Sequence, residues 1–195
     1  MRKMFEKLKR MMISPVKFFN DIQSEDWKPS LIFFLWVMLI ISTITPILNY
    51  FGMESNDFSS SCQAQIVAYN YMKNQLINTY GALSYLIEGV LILALSIPIL
   101  LSLTLILHFV YRLIGGEGSI LNGWKSVCYG LGPCILGGFL PYISLFAAFY
   151  SFSMQFYLGP MILYKVKQSK AIIIFTSFIA LAFIEMFVFG TTMGL

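Results

Sequence analysis

Two carboxylates stand out because each interrupts a long apolar run. Glu88 lies in the run 82–114, and Glu185 lies in the run 171–189. Carboxylates inside apolar helical bundles are costly and usually face the bundle interior or water. At about 1.5 Å of rise per residue, Glu88 lies roughly 9 Å into its run, and Glu185 has about five residues left in its own. If the two runs touch, the carboxylates could share a proton, bind a cation or line a polar cavity; alternatively, each is hydrogen-bonded alone.

The other side chains with catalytic or ligating chemistry are scattered. His108 is the only histidine, and Cys62, Cys128 and Cys134 are the only cysteines. A zinc site uses about four Cys, His or carboxylate ligands, and Cys128 and Cys134 point to different sides of a helix. No Ser-His-Asp arrangement is readable either. The sequence therefore predicts a protein that is not an enzyme and that holds no metal and no cofactor.

The elements that carry these residues are long and apolar. Of the 195 residues, 58% are hydrophobic and 11% are charged, whereas soluble domains carry about 25% charged residues. Backbone groups in lipid must be bonded internally, so runs of about 20 apolar residues predict membrane-spanning helices. The sequence predicts an all-α integral membrane bundle, with a basic segment at 1–29 and a membrane domain at 30–195, whose five spans cover 31–50, 82–114, 124–139, 142–164 and 171–189.

The third and fourth runs are the least distinct of these spans. They are separated only by Gly137, Gly138 and Pro141. A single helix of about 40 residues would not fit a bilayer, so a tight hairpin of two spans is the main interpretation. A re-entrant pair is the alternative, because the third run is short and contains Pro133. Before these runs, the polar segment 52–80 carries apolar residues every three or four positions, which predicts a helix over part of it.

The distribution of basic residues predicts the orientation. With five spans, twelve of the 13 Lys and Arg residues fall on one side, and only Lys73 falls on the other. Cytoplasmic segments carry the excess of Lys and Arg. The N-terminus is therefore expected in the cytoplasm and the C-terminus outside.

The N-terminal segment has the pattern of an interfacial amphipathic helix. Apolar residues recur at helical spacing, and a second short helix could start at Ser14 and Pro15. Basic amphipathic helices lie on anionic membrane surfaces. The alternative is an ordinary basic flank that only sets the topology, and nucleic-acid binding is not expected. The predicted lipid-surface contacts are Arg2, Lys3, Lys7, Lys9 and Arg10.

Several short motifs occur in an order that resembles the Yip family of multi-span membrane proteins, named for their interaction with Ypt/Rab GTPases. They are SPVKFF at 14–19, WKPSL at 27–31, HFVYRLIGGEGS at 108–119, YGLGP at 129–133 and SKA at 169–171. The resemblance covers nearly the whole chain. The signature positions that it implies are structural rather than catalytic, and they are Gly115, Gly116, Gly118, Tyr129 and Pro133.

The resemblance implies five spans, a cytoplasmic N-terminus and a role in membrane organisation or trafficking. Eukaryotic members have a longer N-terminal region, often with an acidic Tyr-Gly-Pro motif that is missing here, which weakens the expectation of small-GTPase binding. The short form resembles a prokaryotic member, so a prokaryotic plasma membrane is the expected location. We therefore expect a scaffold or partner-binding protein, with a small transporter, channel or lipid-moving protein that uses Glu88 and Glu185 as the alternative. The glycines of the third span could serve internal packing or a homo- or hetero-oligomer interface.

Overall fold

The computed structural model describes residues 2–51, 63–139 and 143–192. Within these stretches every regular element is helical, which confirms the all-α fold class. The elements in chain order are α1 (Arg2–Ile13), α2 (Pro15–Asp21), α3 (Trp27–Tyr50), α4 (Gln63–Tyr80), α5 (Leu83–Leu113), α6 (Ile120–Gly130), α7 (Cys134–Phe139), α8 (Ser144–Ser153), a π-helical segment (Met154–Leu158), α9 (Gly159–Leu163) and α10 (Gln168–Thr192).

Two helices of the described residues, α3 and α5, are long and apolar enough to cross a membrane. They have 24 and 31 residues, with mean hydropathies of 2.5 and 2.8. In α10 the described apolar stretch runs over 168–181. Much of the apolar surface of α5 is not covered by protein, which is the arrangement expected when lipid is the solvent. Its side chains that are more than half exposed include Leu86, Val90, Leu95, Ile99, Leu105 and Phe109.

The predicted third and fourth spans are each divided among shorter elements. The third corresponds to α6 and α7, which have 11 and six residues. The fourth corresponds to α8, the π-helical segment and α9. A helix of 11 residues is only about 16 Å long, so α6 alone is too short to cross a bilayer. The division into five full spans thus stays a prediction.

Helices α3 and α5 pack closely where a proline faces a glycine. Pro46 has no N–H group, so the carbonyl of Ser42 lacks its usual helical donor. Gly89 of α5 approaches that carbonyl, and a Cβ atom added at position 89 would lie 2.6 Å from the Ser42 oxygen. Only glycine allows this approach without a shift of backbone. Near the C-terminus of α3 and the N-terminus of α5, Asn49 Nδ2 donates a hydrogen bond of 2.7 Å to Glu88 Oε1.

Helix α6 lies at the centre of the structure although it is rich in polar residues. It packs against α3, α5, α9 and the π-helical segment. Seven of its residues are buried, namely Gly123, Lys125, Ser126, Val127, Cys128, Tyr129 and Gly130. Buried polar groups are costly unless they are hydrogen-bonded, so the buried lysine, serine and tyrosine of this helix need partners from the elements around it.

The π-helical segment illustrates one such requirement. In an α-turn the N–H of residue 160 would bond to the carbonyl of Phe156, and in a π-turn it would bond to that of Gln155. Pro160 has no N–H group, so it bonds to neither. Both carbonyls receive side-chain hydroxyl groups instead. Tyr111 Oη donates to the Phe156 oxygen, and Ser126 Oγ donates to the Gln155 oxygen at 3.0 Å. The proline is thus accommodated by hydroxyl donors from α5 and α6.

This arrangement predicts that removing the Tyr111 hydroxyl lowers the unfolding free energy more when residue 160 is proline than when it is alanine. Tyr111→Phe should lower the unfolding free energy in detergent by about 1–3 kcal/mol, because it leaves a buried carbonyl without a donor. In a Pro160→Ala background the restored N–H group can bond to that carbonyl, so the same substitution should cost clearly less. The measurement is thermal or denaturant unfolding of the four proteins of this cycle. Equal costs of Tyr111→Phe in both backgrounds would contradict the explanation.

Candidate functional site

The N-terminal helices form a hairpin that is packed against the bundle. Their inward side chains are fully or almost fully buried: Met11, Phe18, Phe19 and Ile22. Met11 lies against Gly132, where an added Cβ atom would come within 2.2 Å of the methionine methyl group. Tyr150 Oη of α8 donates a hydrogen bond of 3.1 Å to the carbonyl of Met12. Much of the apolar side of this amphipathic segment is therefore covered by protein.

The five predicted lipid-surface residues do not share one environment. Arg2, Lys3, Lys9 and Arg10 are exposed, whereas Lys7 is half-buried and points toward the bundle. Arg2 is 3.3 Å from Glu6 in the next turn, and Arg10 pairs with Asp21 of α2. Exposed pairs of this kind contribute little to stability, so these side chains keep most of their freedom to meet another charged surface.

Lys7 belongs to a network with Glu25 and Tyr129. Its Nζ lies 2.5 Å from Glu25 Oε1 and donates to Tyr129 Oη at 2.7 Å. The Tyr129 hydroxyl donates in turn to Glu25 Oε2 at 2.6 Å. The Lys7 ammonium also lies 5.0 Å from the centre of the Tyr129 ring, a distance at which a cation is attracted to an aromatic face. The signature tyrosine thus joins α1, the loop before α3, and α6.

The ring of Tyr129 is held by two further aromatic residues. Phe18 of α2 packs edge-on to it, with ring centres 5.1 Å apart. Phe33 of α3 lies with its ring centre 5.2 Å away. Tyr129 itself is fully buried. Edge contacts of this kind add to the stabilisation that comes from burial alone, so the position of the hydroxyl is determined by packing as well as by hydrogen bonds.

Lys125 of α6 binds the end of α2. It is 5% exposed, and its Nζ donates to the carbonyls of Ile22 at 3.2 Å and Gln23 at 2.9 Å. These carbonyls belong to the turn that follows α2, and the carbonyl of Ile22 also accepts from the backbone N–H of Glu25 at 3.1 Å. The lysine is therefore an additional donor beside the C-terminus of the helix, where a positive charge is favourable. Gln23 Nε2 also donates to the carbonyl of Ile162 in α9 at 3.0 Å. The hairpin is therefore held by specific polar contacts in addition to its apolar side chains.

The glycine turn after α5, which contains Gly115, Gly116 and Gly118, packs closely against the side chain of Tyr164. Gly115 has a φ of +88°, a conformation that favours glycine, and a Cβ atom at Gly118 would lie 2.5 Å from the Tyr164 ring. The turn amides are bonded within the protein: Gly116 N donates to the carbonyl of Tyr111 at 2.8 Å, and Glu117 N to that of Tyr164 at 3.0 Å. These glycine positions therefore serve close packing of a tyrosine.

Tyr164 and Tyr111 were not singled out from the sequence. Tyr164 is fully buried, and its hydroxyl lies 3.0 Å from Nδ1 of His108, the histidine that the sequence leaves without a partner. Gly123 of α6 faces the same hydroxyl, since an added Cβ atom would lie 2.7 Å from it. The signals in the sequence were indirect: glycines at 118 and 123 create space for a ring, and Pro160 creates a need for a hydroxyl donor.

The third predicted span uses its described glycines for contacts inside the chain. An added Cβ atom at Gly130 would lie 2.3 Å from Gln155 Cγ, and Gly132 faces Met11. Pro133, which is buried, lies in the turn between α6 and α7, directly before the first residue of α7. Gly137 and Gly138 belong to α7. The small residues at 123, 130 and 132 thus allow other elements to approach α6 closely.

The predicted carboxylate pair is described only in part. Glu88 is half-buried, accepts the hydrogen bond from Asn49 and lines a cavity between α4 and α5. Position 185 lies on α10, but its side chain lies outside the described residues, so the pairing with Glu88 stays a prediction. Among the side chains that the structure describes, no three His, Cys, Asp or Glu residues come together as metal ligands would.

Comparison with known proteins agrees with the resemblance seen in the motifs. The family model of the Yip1 domain matches residues 9–189, which includes the last part of α1, all of α2, the glycine turn, Tyr129 and α10 up to position 189. Comparison with curated proteins and with solved structures finds no match. The matched region extends over most of the chain, and the apolar helices α3 and α5 fit a membrane protein. The chain belongs to the Yip1 family.

Proposed function

We propose that this protein is a non-enzymatic membrane scaffold whose N-terminal hairpin presents a fixed basic surface to anionic headgroups and to partner proteins. The observation that carries the proposal is the docking of the hairpin through Lys7, Glu25, Tyr129 and Lys125. A flank that only sets topology needs no such contacts. Here the buried contacts fix the helices, while the remaining basic side chains stay exposed.

The exposed charges have the chemistry that an anionic surface attracts. Lys9, Arg10 and Lys17 surround a shallow depression between α1 and α2, together with Glu6 and apolar Ile13. Each Lys or Arg near an anionic membrane contributes about 1 kcal/mol of attraction, and the effect fades over about 8–10 Å at physiological salt. A pre-ordered surface loses less conformational entropy on binding than a flexible segment does. These features support binding of lipid headgroups or acidic protein segments.

The finer parts of the function follow the family and the charge pattern. We place the N-terminus in the cytoplasm, five spans in the membrane, and the protein in a prokaryotic plasma membrane. Partner proteins would be bound in a trafficking-like or membrane-organising role, without a requirement for a small GTPase. A homo- or hetero-oligomer through the glycine-rich third span stays a prediction, because Gly130 and Gly132, the glycines of that span whose surroundings the structure describes, pack within the chain.

The proposal predicts that neutralising the exposed lysines of the hairpin releases it from anionic lipid. Lys3, Lys9 and Lys17 would be changed together to Gln. An environment-sensitive dye on Ile13→Cys, in a Cys62→Ser background, would report contact with the bilayer in nanodiscs, because Ile13 is 69% exposed. In the labelled protein that keeps its three lysines, we expect the dye signal to shift in anionic nanodiscs but not in neutral ones. Loss of three charges should weaken that contact by about 3 kcal/mol, or roughly a hundredfold.

A charge-matched control removes three exposed lysines elsewhere, with Lys28, Lys165 and Lys167 changed to Gln. This control should leave the dye response intact, and added salt should reduce the response of the original protein. The proposal would be wrong if the dye signal were the same in neutral and anionic nanodiscs. It would also be wrong if the control and the hairpin variant lost the signal equally, since the effect would then reflect net charge alone.

Transport is a second candidate because Glu88, together with Lys73, lines a cavity beside an apolar helix. The scaffold proposal expects proteoliposomes to pass protons and small cations no faster than empty liposomes do. Flux that depends on the protein, is abolished by Glu88→Gln together with Glu185→Gln, and persists in Glu117→Gln would favour transport instead. Glu117 is a suitable control because it is exposed in the turn between α5 and α6.

A further inference from the structure

Two adjoining depressions lie where α1 meets α2. Lys9 of α1 and Lys17 of α2 both line the first, which has a volume of about 440 Å³, and Ser14, between the two helices, lines it as well. Ser14 and Lys17 also line the second, of about 480 Å³. Two ammonium groups and a hydroxyl thus border the first depression, and they are donors of the kind that a phosphate group accepts from.

The two lysines of the first depression have no carboxylate partner. Among the described residues, neither Lys9 nor Lys17 takes part in an ion pair, whereas the other charged residues of the depression, Glu6 and Arg10, each pair with an opposite charge of the hairpin. The depression therefore keeps two uncompensated positive charges. A phosphate monoester carries close to two negative charges at neutral pH, so it matches this pair better than a singly charged phosphodiester does.

Ser14 adds a hydroxyl group that the helix does not use. It is the N-cap residue of α2, but its side chain makes no capping hydrogen bond, although serine at this position usually accepts from a backbone N–H of the first turn. The side chain is exposed at the depression. Its hydroxyl can therefore donate to a ligand oxygen without giving up a bond within the protein.

Exposed apolar side chains beside these donors indicate that the phosphate belongs to a lipid. Ile13 lines the first depression and is 69% exposed, and Val16 lines the second and is 49% exposed. On an interfacial helix, apolar side chains of this kind enter the boundary of the acyl chains, while lysines beside them reach up to the headgroups. A soluble phosphate ester would make no use of Ile13 and Val16.

We propose that the junction of α1 and α2 binds the phosphomonoester headgroup of phosphatidate. The phosphate oxygens accept hydrogen bonds from Lys9, Lys17 and Ser14, and Ile13 and Val16 lie against the acyl chains. The inference rests on the scaffold function proposed above, because it is the same hairpin that meets the bilayer. It adds a preference for a doubly charged headgroup, which a positive net charge alone does not provide.

The first test compares two lipids that differ in one charge. Full-length protein in detergent would be titrated with phosphatidate or with phosphatidylmethanol of identical chains, and bound lipid would be counted by native mass spectrometry. Phosphatidylmethanol is the matched control because it is a diester of nearly the same size. We expect phosphatidate to bind about fivefold more tightly at neutral pH, the effect of one more charge beside a basic residue. Equal affinities at neutral pH would overturn the proposal.

The preference should also follow the ionisation of the phosphate. At about pH 5 a phosphate monoester carries close to one charge, so the ratio of the two affinities should fall to about one. Protonation of Glu6 or of Asp21, the partner of Arg10, would strengthen the binding of both lipids and leave the ratio unaffected. A ratio that stayed the same at both pH values would contradict recognition of the second charge.

Variants of exposed residues locate the site. Lys9→Gln together with Lys17→Gln should remove the preference for phosphatidate, whereas the charge-matched control Lys28→Gln with Lys167→Gln should keep it. Ser14→Ala should weaken phosphatidate binding about two- to tenfold, the usual effect of one hydrogen bond. A preference that persisted in the Lys9 and Lys17 variant would show that phosphatidate binds elsewhere.

Two further outcomes separate this inference from its alternatives. Glycerol 3-phosphate in excess should leave phosphatidate bound, and displacement by it would overturn the assignment to a lipid. Equal binding of both lipids that still required Lys9 and Lys17 would refute the headgroup preference while leaving the scaffold function intact. If neither lipid required these lysines, both proposals would be contradicted.

Discussion

The structure depends on the burial of α6, a short helix with a lysine, a serine and a tyrosine in an apolar environment. Burying such groups costs several kcal/mol unless each finds a partner, so the surroundings of α6 must supply donors and acceptors at defined positions. Lys125 uses the carbonyls at the end of α2, Ser126 uses a carbonyl of the π-helical segment, and Tyr129 uses Lys7 and Glu25. These partners come from three parts of the chain, namely α1, the segment between α2 and α3, and the π-helical segment.

This requirement explains why the N-terminal hairpin is part of the core. If α1 and α2 were removed, the Tyr129 hydroxyl would lose the Lys7 ammonium that donates to it, and the bundle would lose the packing of Phe18 and Phe19. The basic N-terminal segment is therefore docked against the bundle by buried side chains and hydrogen bonds. The buried side chains of α1 and α2 hold these helices on the bundle, and the exposed lysines and arginines of the same helices face away from it. The proposed scaffold role uses both sets of side chains.

Proline and glycine residues mark the positions where helices meet. Pro46 frees a carbonyl that Gly89 approaches, and Pro160 frees carbonyls that Tyr111 and Ser126 bind. The glycines at 116, 118 and 123 make room for Tyr164. At Pro160 the freed carbonyls accept hydrogen bonds from hydroxyl groups, as a membrane bundle requires where no water can satisfy a free backbone group, whereas at Pro46 the freed carbonyl lies against a glycine.

The helical class, the long apolar helices α3 and α5, the membrane environment and the Yip family were predictable from the sequence, because hydropathy, helix length and short motifs are local properties. The amphipathic pattern of α1 and α2 was equally visible, but it could not tell whether lipid or protein covers the apolar face. Only the tertiary structure decided that Lys7 turns inward to Glu25 and Tyr129, that Tyr164 occupies the glycine turn, and that α6 divides from α7. These outcomes depend on helix rotation and on contacts between residues more than 100 positions apart, such as Lys7 and Tyr129, which residue spacing along the chain does not specify.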